Sequence, residues 1–303
     1  WGLATPGALA WDTDLIRELG LDPACFGPIT PTGTDLGPVR ADLVRSLGLN
    51  ADCRVVLPGG HDTASAVGGM GADDREAAYL SSGTWSLIGC CADTANTSEA
   101  FFRAAYSNEI AVDGRVRLNQ NIMGLWVVQE CRRAFVAEGR TASYADLAAA
   151  AAQRPVSTFT LDVDDPRFLT PAAVSGPMPA RIAAWCRERG HAVPTDDVGF
   201  IRLTLDGLAA AYARALTDLE RLAGRSFGAI NIVGGGSNNR LLNELTARST
   251  GRAVIAGPGE ATALGNLLVQ ARSLGRIGDA AAQRQILARS VELQRIDPPA
   301  ARG

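Results

Sequence analysis

Residues 229–275 constrain the fold most. They alternate short β-branched runs with helical patterns across glycine turns: strand "AINIV", turn "GGGSNN", helix "RLLNELTARST", strand "RAVIAG", turn "PGE", helix "ATALGNLLVQARSLG". Neighbouring parallel strands need a long crossover, and a helix after each strand supplies one, so this order predicts parallel pairing. A βαβα unit is expected to close the chain.

The preceding pattern is helical. From Asp196 to Leu222, the apolar set Ile201, Leu205, Leu208, Tyr212, Leu216 and Leu219 recurs every three or four residues, which predicts one long helix stopped at Gly224. "MPARIAAWCRERG" and the alanine-rich 141–153 predict two more helices, and "NIMGLWVVQECRRAFVAE", residues 121–138, reads as an amphipathic helix. "AAYLSSGTWSLIGC" reads as a hairpin turning at Ser-Ser-Gly-Thr. Nearer the start, "DTDLIRELGL" is a short helix capped by Asp12 or Asp14, and "PITPTGTDLGPV" is a connection. A helix "RADLVRSLGL", a strand "RVVLPGG" and a helix "TASAVGGMGA" follow. No repeat of fixed period occurs. The fold class expected is mixed α/β.

Composition removes several chemistries. All 29 basic residues are arginine, so no lysine amine is present for a Schiff base, a pyridoxal phosphate site or a Walker A loop. A formal net charge of -3 leaves no basic surplus of the kind that coats nucleic acid or an anionic membrane. The six cysteines contain no C-x-x-C, and with two histidines they form no zinc cluster of ordinary spacing; reduced, packed thiols are expected and no metal site is assigned. No apolar run approaches the roughly 20 residues that span a bilayer, and a cytoplasmic location is the expectation.

Four stretches carry candidate chemistry. In "LPGGHDTASAVGG", Asp62 stands where a strand ends, the place where ligands of open α/β sheets gather. Its carboxylate is a ready proton acceptor at neutral pH and His61 could orient a substrate hydroxyl, while the alternative is a helix cap built from Asp62 and Thr63. "SSGTWS", residues 81–86, could present donors to a phosphate or be an ordinary polar turn. "IVGGGSNNRLLNEL", residues 232–245, allows close approach at three glycines ahead of a helix beginning near Ser237, which favours an anion or nucleotide; a tight strand-to-helix turn is the alternative. On the helix predicted over 121–138, Asn121 and Gln129 fall on one side, as a functional pair or as a cap and a surface amide. Asp164 and Asp165 before Pro166 read as a turn with solvated carboxylates, and His191 reads as structural.

Together, "GHDTASAV", "AYLSSGTWSLIG", "NIMGLWVVQ", "DDPRF", "VGGGSNNRLLN" and "VIAGPGEATALGN", in that order, resemble the FGGY family of carbohydrate kinases, in particular its rhamnulokinase branch. The resemblance implies a ribonuclease H-like, actin-like ATPase fold with a mixed sheet and flanking helices. It implies ATP-dependent phosphorylation of a ketose hydroxyl, L-rhamnulose first, with Mg²⁺ on the phosphates; L-fuculose, L-ribulose or a ketopentose are the alternative sugars, and a non-catalytic nucleotide-binding protein is the alternative class. By position, Asp62 becomes the general base, His61, Thr63 and Asn121 sugar contacts, and Thr84, Gln129 and Gly235 nucleotide contacts.

The resemblance also implies an organisation. Residues 1–72 look like the closing part of a first, sugar-binding domain, and 73–303 like a whole second, nucleotide-binding domain. The phosphate-gripping hairpin that opens the first domain of relatives has no counterpart after Trp1, so poor or absent turnover is expected of this polypeptide alone. Its partners are expected to be a sugar and ATP, with no nucleic acid and no membrane.

Overall fold

The computed structural model describes residues 10–71 and 76–300. The first part holds α1 (Thr13–Glu18), β1 (Asp35–Pro38), α2 (Ala41–Leu47), β2 (Arg54–Val56) and α3 (Asp62–Gly68). Then come the hairpin β3 (Ala77–Ser82) and β4 (Trp85–Ala92), α4 (Glu99–Arg103), and a second hairpin of β5 (Tyr106–Ile110) and β6 (Val116–Met123). Helices α5 (Trp126–Ala137), α6 (Tyr144–Ala152), α7 (Ala172–Ser175), α8 (Met178–Glu188) and α9 (Asp197–Ala223) follow. The chain closes with β7 (Ala229–Val233), α10 (Arg240–Thr250), β8 (Ala253–Ala256), α11 (Ala261–Ser273), α12 (Ala280–Ser290) and β9 (Gln294–Ile296).

Seven strands form one mixed sheet in the order β5-β6-β4-β3-β7-β8-β9. β3 lies at its centre, parallel to β7 and antiparallel to β4, and β7 is parallel to β8 as the helical crossover requires. A central strand is covered on both faces, which explains why "AAYL" is apolar throughout. Leu80, Ile88, Leu118, Ile230, Ile232 and Val254 join one core with Val127, Leu205, Tyr212, Leu216 and Leu242 from α5, α9 and α10. Each such side chain contributes about 1.5–3 kcal/mol by leaving water. On the opposite face, Tyr79, Cys91 and Val233 pack with Ala66, Val67 and Met70 around α3 and with Ala261 of α11. There the two helices touch backbone to backbone: a Cβ built on Gly69 would overlap the Ala261 carbonyl oxygen.

The short helices, the β3–β4 hairpin, the long helix ending at left-handed Gly224 and the closing parallel pair match the sequence reading. The helix expected over 121–138 does not. Asn121, Ile122 and Met123 pair with Leu87, Ser86 and Trp85 as the end of β6, and the helix starts at Trp126. Gly124 makes the break, since a Cβ there would lie 2.6 Å from the Thr84 carbonyl oxygen. The connection over 28–39 contains β1, which pairs with β2 as a separate two-stranded sheet. The βαβα unit is not the last element: α12 and β9 follow, and β9 adds antiparallel to β8. The helix expected near Ser237 begins at Arg240, after a 3-10 turn over Gly235–Asn238 and a cap by Asn239.

The boundary expected at 72/73, like the Trp1 opening, falls on residues outside those described. All six cysteines are free thiols. His191 stacks on Phe159 with ring centroids 4.2 Å apart, in keeping with a structural role. Among the described residues no helix is long and apolar enough to cross a membrane.

Candidate functional site

β3 ends at Ser82 and β7 at Val233, and the turns that leave these parallel neighbours meet. Gly234 has φ +81°, a left-handed value natural to glycine, and a Cβ on it would lie 2.9 Å from the Ser82 carbonyl oxygen. Beside this meeting of turns lies a cavity of about 710 Å³, lined by Gly83, Val128, Gln129, Ala148, Gly235 and Leu241 among others. Its size is that of a small-molecule site, and it sits at strand carboxyl ends, where α/β sheets bind ligands.

Three of the predicted residues converge here. Gln129 comes from α5, whose start is pinned to the hairpin turn by the Leu125 N–H on the Gly83 carbonyl (2.9 Å) and the Trp126 N–H on that of Thr84 (3.1 Å). The Gln129 amide Nε2 donates to Thr84 Oγ1 at 3.3 Å, and Gly235 borders the same cavity. Beneath the hairpin, the buried hydroxyls of Ser86 and Tyr212 share a 2.7 Å hydrogen bond, and burial pushes the Tyr212 phenol up to about 12. Asp164 accepts the Met123 N–H at 2.8 Å where β6 ends, and loss of hydration pushes its carboxyl above the ordinary range. It is therefore tied to the backbone of β6 rather than left in a freely solvated turn.

The His61–Asp62–Thr63 triplet lies at the start of α3. Asp62 Oδ1 accepts the Thr63 N–H at 2.7 Å and the Thr63 hydroxyl at 3.3 Å. The Asp62 side chain is 77% exposed. The capping alternative is not what the structure shows: His61 stands at the N-cap position, Asp62 is the first residue of the helix and no side chain caps it, so the Asp62 carboxylate stays open to solvent. Thr63 itself is buried, with its hydroxyl turned to Asp62.

His61 bridges to the sheet. Its Nε2 is 3.5 Å from Asp62 Oδ1 and its Nδ1 is 3.5 Å from Glu109 Oε2 on β5. Glu109 is fixed by Arg117 Nη2 at 2.6 Å and by Asn119 Nδ2 at 3.0 Å, and Asn119 Oδ1 accepts from Tyr79 Oη at 2.9 Å. Burial works to raise the Glu109 carboxyl, but the Asn119 amide, the Arg117 charge and the Ser107 hydroxyl outweigh it and hold the group below its ordinary value. Asn121 lies two residues beyond Asn119 on β6, so the pleat sets it on the same sheet face. Asn121 therefore groups with the His61 side of the sheet rather than with Gln129.

Glu109, Arg117 and Asn119 were missed by the sequence reading. The signal was present in "VRLN", residues 116–119, where apolar and polar residues alternate with a period of two. Among the described residues, no group of three or more His, Cys, Asp or Glu is arranged to hold a metal ion.

Residues 78–274 match the model of the FGGY family of carbohydrate kinases, C-terminal domain. A rhamnulokinase of Oceanobacillus iheyensis is 38% identical over 283 residues, covering 93% of this chain and 58% of that protein. One of Enterococcus faecalis is 39% identical over 284 residues, covering 93% and 56%. Among solved structures, a ligand-bound xylulose kinase from Lactobacillus acidophilus superposes with a TM-score of 0.71 at 18% identity, over 97% of this chain and 57% of that one. Plasmodium falciparum glycerol kinase with ADP gives 0.69 at 13% identity, over 95% and 56%. These two likenesses support the fold, which is that of the ribonuclease H-like, actin-like ATPases with a mixed sheet and flanking helices. The chain spans little more than half the length of the curated relatives it matches. With the family model covering most of its length and the glycine turns meeting as described, the chain belongs to the FGGY family of carbohydrate kinases.

Proposed function

We propose that this chain forms the nucleotide-binding half, with part of the sugar-binding half, of an ATP-dependent ketose kinase whose preferred sugar is L-rhamnulose. One observation carries the reading: Gln129 and Gly235 border a single cavity of about 710 Å³ at the ends of two parallel strands, and Gln129 holds Thr84 beside it by a hydrogen bond. Its walls suit an adenine nucleotide. Val128, Ala148, Ala149, Ala152 and Leu241 offer an apolar slot for a base, and the Gly83 and Gly235 turns admit phosphate close to the backbone.

Phosphoryl transfer asks chiefly for positioning, charge neutralisation and a group that accepts the hydroxyl proton. In this reading Asp62 is that base, its exposed carboxylate taking the proton as the sugar oxygen attacks the terminal phosphate. His61 and Asn121 hold sugar hydroxyls from the polar side of the sheet, and Thr63 steadies Asp62. A Mg²⁺ held mostly by phosphate oxygens and water would neutralise phosphate charge. The rhamnulokinase relatives at 38% and 39% identity support L-rhamnulose over other ketoses. With part of the sugar pocket lying in the first domain, we infer that these 303 residues alone bind nucleotide and turn over poorly.

A coupled ADP-release assay with Mg-ATP and a ketose panel led by L-rhamnulose tests this, run on the 303-residue chain and on a version carrying any upstream coding sequence. The expected result is nucleotide binding by both and turnover, best with L-rhamnulose, by the longer one. Nucleotide binding without phosphorylation of any sugar by the longer one would sink the kinase reading in favour of a nucleotide-binding regulator. Full activity in the 303-residue chain would refute the inference about its low turnover.

A further inference from the structure

His61 is where the polar strip of the sheet meets the loop carrying Asp62. Each of its ring nitrogens faces a carboxylate oxygen at 3.5 Å, Nδ1 toward Glu109 and Nε2 toward Asp62. The two carboxylates are built differently. Glu109 Oε2 meets Arg117 Nη2 at 2.6 Å, and its Oε1 accepts from Asn119 Nδ2 at 3.0 Å and from Ser107 Oγ at 3.1 Å. Arg117 is completely buried, and a buried cation is strongly unfavourable unless it is paired, so this clamp keeps Glu109 ionised and in place. Asp62 lies open to solvent. A fixed carboxylate beside an imidazole nitrogen captures the proton on that nitrogen and decides which one stays free.

We propose that Glu109 is a positioning residue for His61: it holds the ring proton on Nδ1 and leaves Nε2 as an acceptor beside the Asp62 carboxylate. The proposal rests on Asp62 being the base. Nε2 and the Asp62 carboxylate are then neighbouring acceptors; Oδ1 already takes the Thr63 N–H and hydroxyl, so donors from outside the protein are needed for Nε2 and for the second carboxylate oxygen. Adjacent hydroxyls of a polyhydroxy substrate supply them, one donating to Nε2 and the other delivering its proton to Asp62. A substrate with a single hydroxyl leaves Nε2 unmatched, so the pair selects for vicinal hydroxyls. Glu109 touches no reacting atom and acts through the imidazole.

The chain has two histidines, which makes long-range ¹H–¹⁵N NMR of the imidazole rings decisive, with His191 as internal control. At about pH 8, wild-type His61 is expected to carry its proton on Nδ1. Glu109→Asp retains the charge that Arg117 needs but withdraws the carboxylate by one methylene, and should move the His61 proton toward Nε2 with His191 unchanged. A second variant, Glu109→Gln with Arg117→Met, removes the pair together and guards against misfolding from a stranded buried charge. A proton on Nε2 in wild type overturns the proposal, and so does an unaltered His61 ring in either folded variant. Where sugar turnover is measurable, Glu109→Asp should lower kcat about tenfold with KM for ATP unchanged, and should add nothing in a His61→Asn background. Absence of sugar turnover in every version would count against the kinase reading, while the ring signals judge the role of Glu109 separately.

Discussion

Gly265 of α11 lies against Ser65 of α3 so closely that a Cβ on the glycine would overlap the serine carbonyl oxygen. The contact joins the helix carrying Asp62 to the one that follows β8. Gly265→Ala must force the helices apart, and overpacking of this kind costs about 1–3 kcal/mol. Urea unfolding should report that loss. Unchanged stability would mean that α3 can shift without penalty.

Asp62→Asn keeps the side-chain size and an oxygen for the Thr63 N–H, which Asp62 Oδ1 now accepts at 2.7 Å. The fold is expected to survive with an unchanged melting temperature. Sugar phosphorylation should fall by about 10² to 10⁴, the usual contribution of a positioned base. A variant retaining wild-type kcat would remove Asp62 from that role.

Ala148 lines the cavity shared by Gly83, Gln129 and Gly235. Ala148→Phe places a ring where a base would lie. Calorimetric titration with ADP should show affinity reduced about tenfold or more, equivalent to about 1.4 kcal/mol, without loss of helix content. Unaltered ADP affinity would place the nucleotide elsewhere.

Glu109 is held below the ordinary glutamate value of 4.5 by the Asn119 amide and the Arg117 charge, against the opposing effect of burial. A carboxyl depressed in the folded state binds fewer protons there than in the unfolded chain, so its contribution is fully present above pH 4.5 and is lost as pH falls through the folded value. From about pH 6 to about pH 3, wild type should lose more stability than the variant combining Glu109→Gln with Arg117→Met. Parallel stability curves would show that the pair has no such linkage.

Much of this protein was legible without coordinates, where the signal is local. Glycine at 224 stops α9 because a left-handed residue ends a helix, and the apolar spacing from Ile201 to Leu219 describes the face that α9 buries. The closing strand–turn–helix order predicted its parallel pairing for the same reason: each step depends on residues a few positions apart. The stretch around Asn121 misled because "NIM" and "LWVV" are apolar in a pattern that suits either a strand end or a helix, and the break at Gly124 depends on a hairpin some 40 residues earlier.

The sequence by itself determined the glycine turns, the long helix, the central apolar strands and the residue types, including Asp62, Thr84 and Gln129, on which the chemistry is proposed to rest. Only the tertiary structure decided the partners. Gln129 meets Thr84 across 45 positions, Tyr79 meets Asn119 across 40, and His61 meets Glu109 because the β5–β6 hairpin brings a polar face to the start of α3. Propensity and periodicity act between near neighbours along the chain. Sheet register and helix docking bring together residues far apart in it, and those contacts set the charge and geometry of the site.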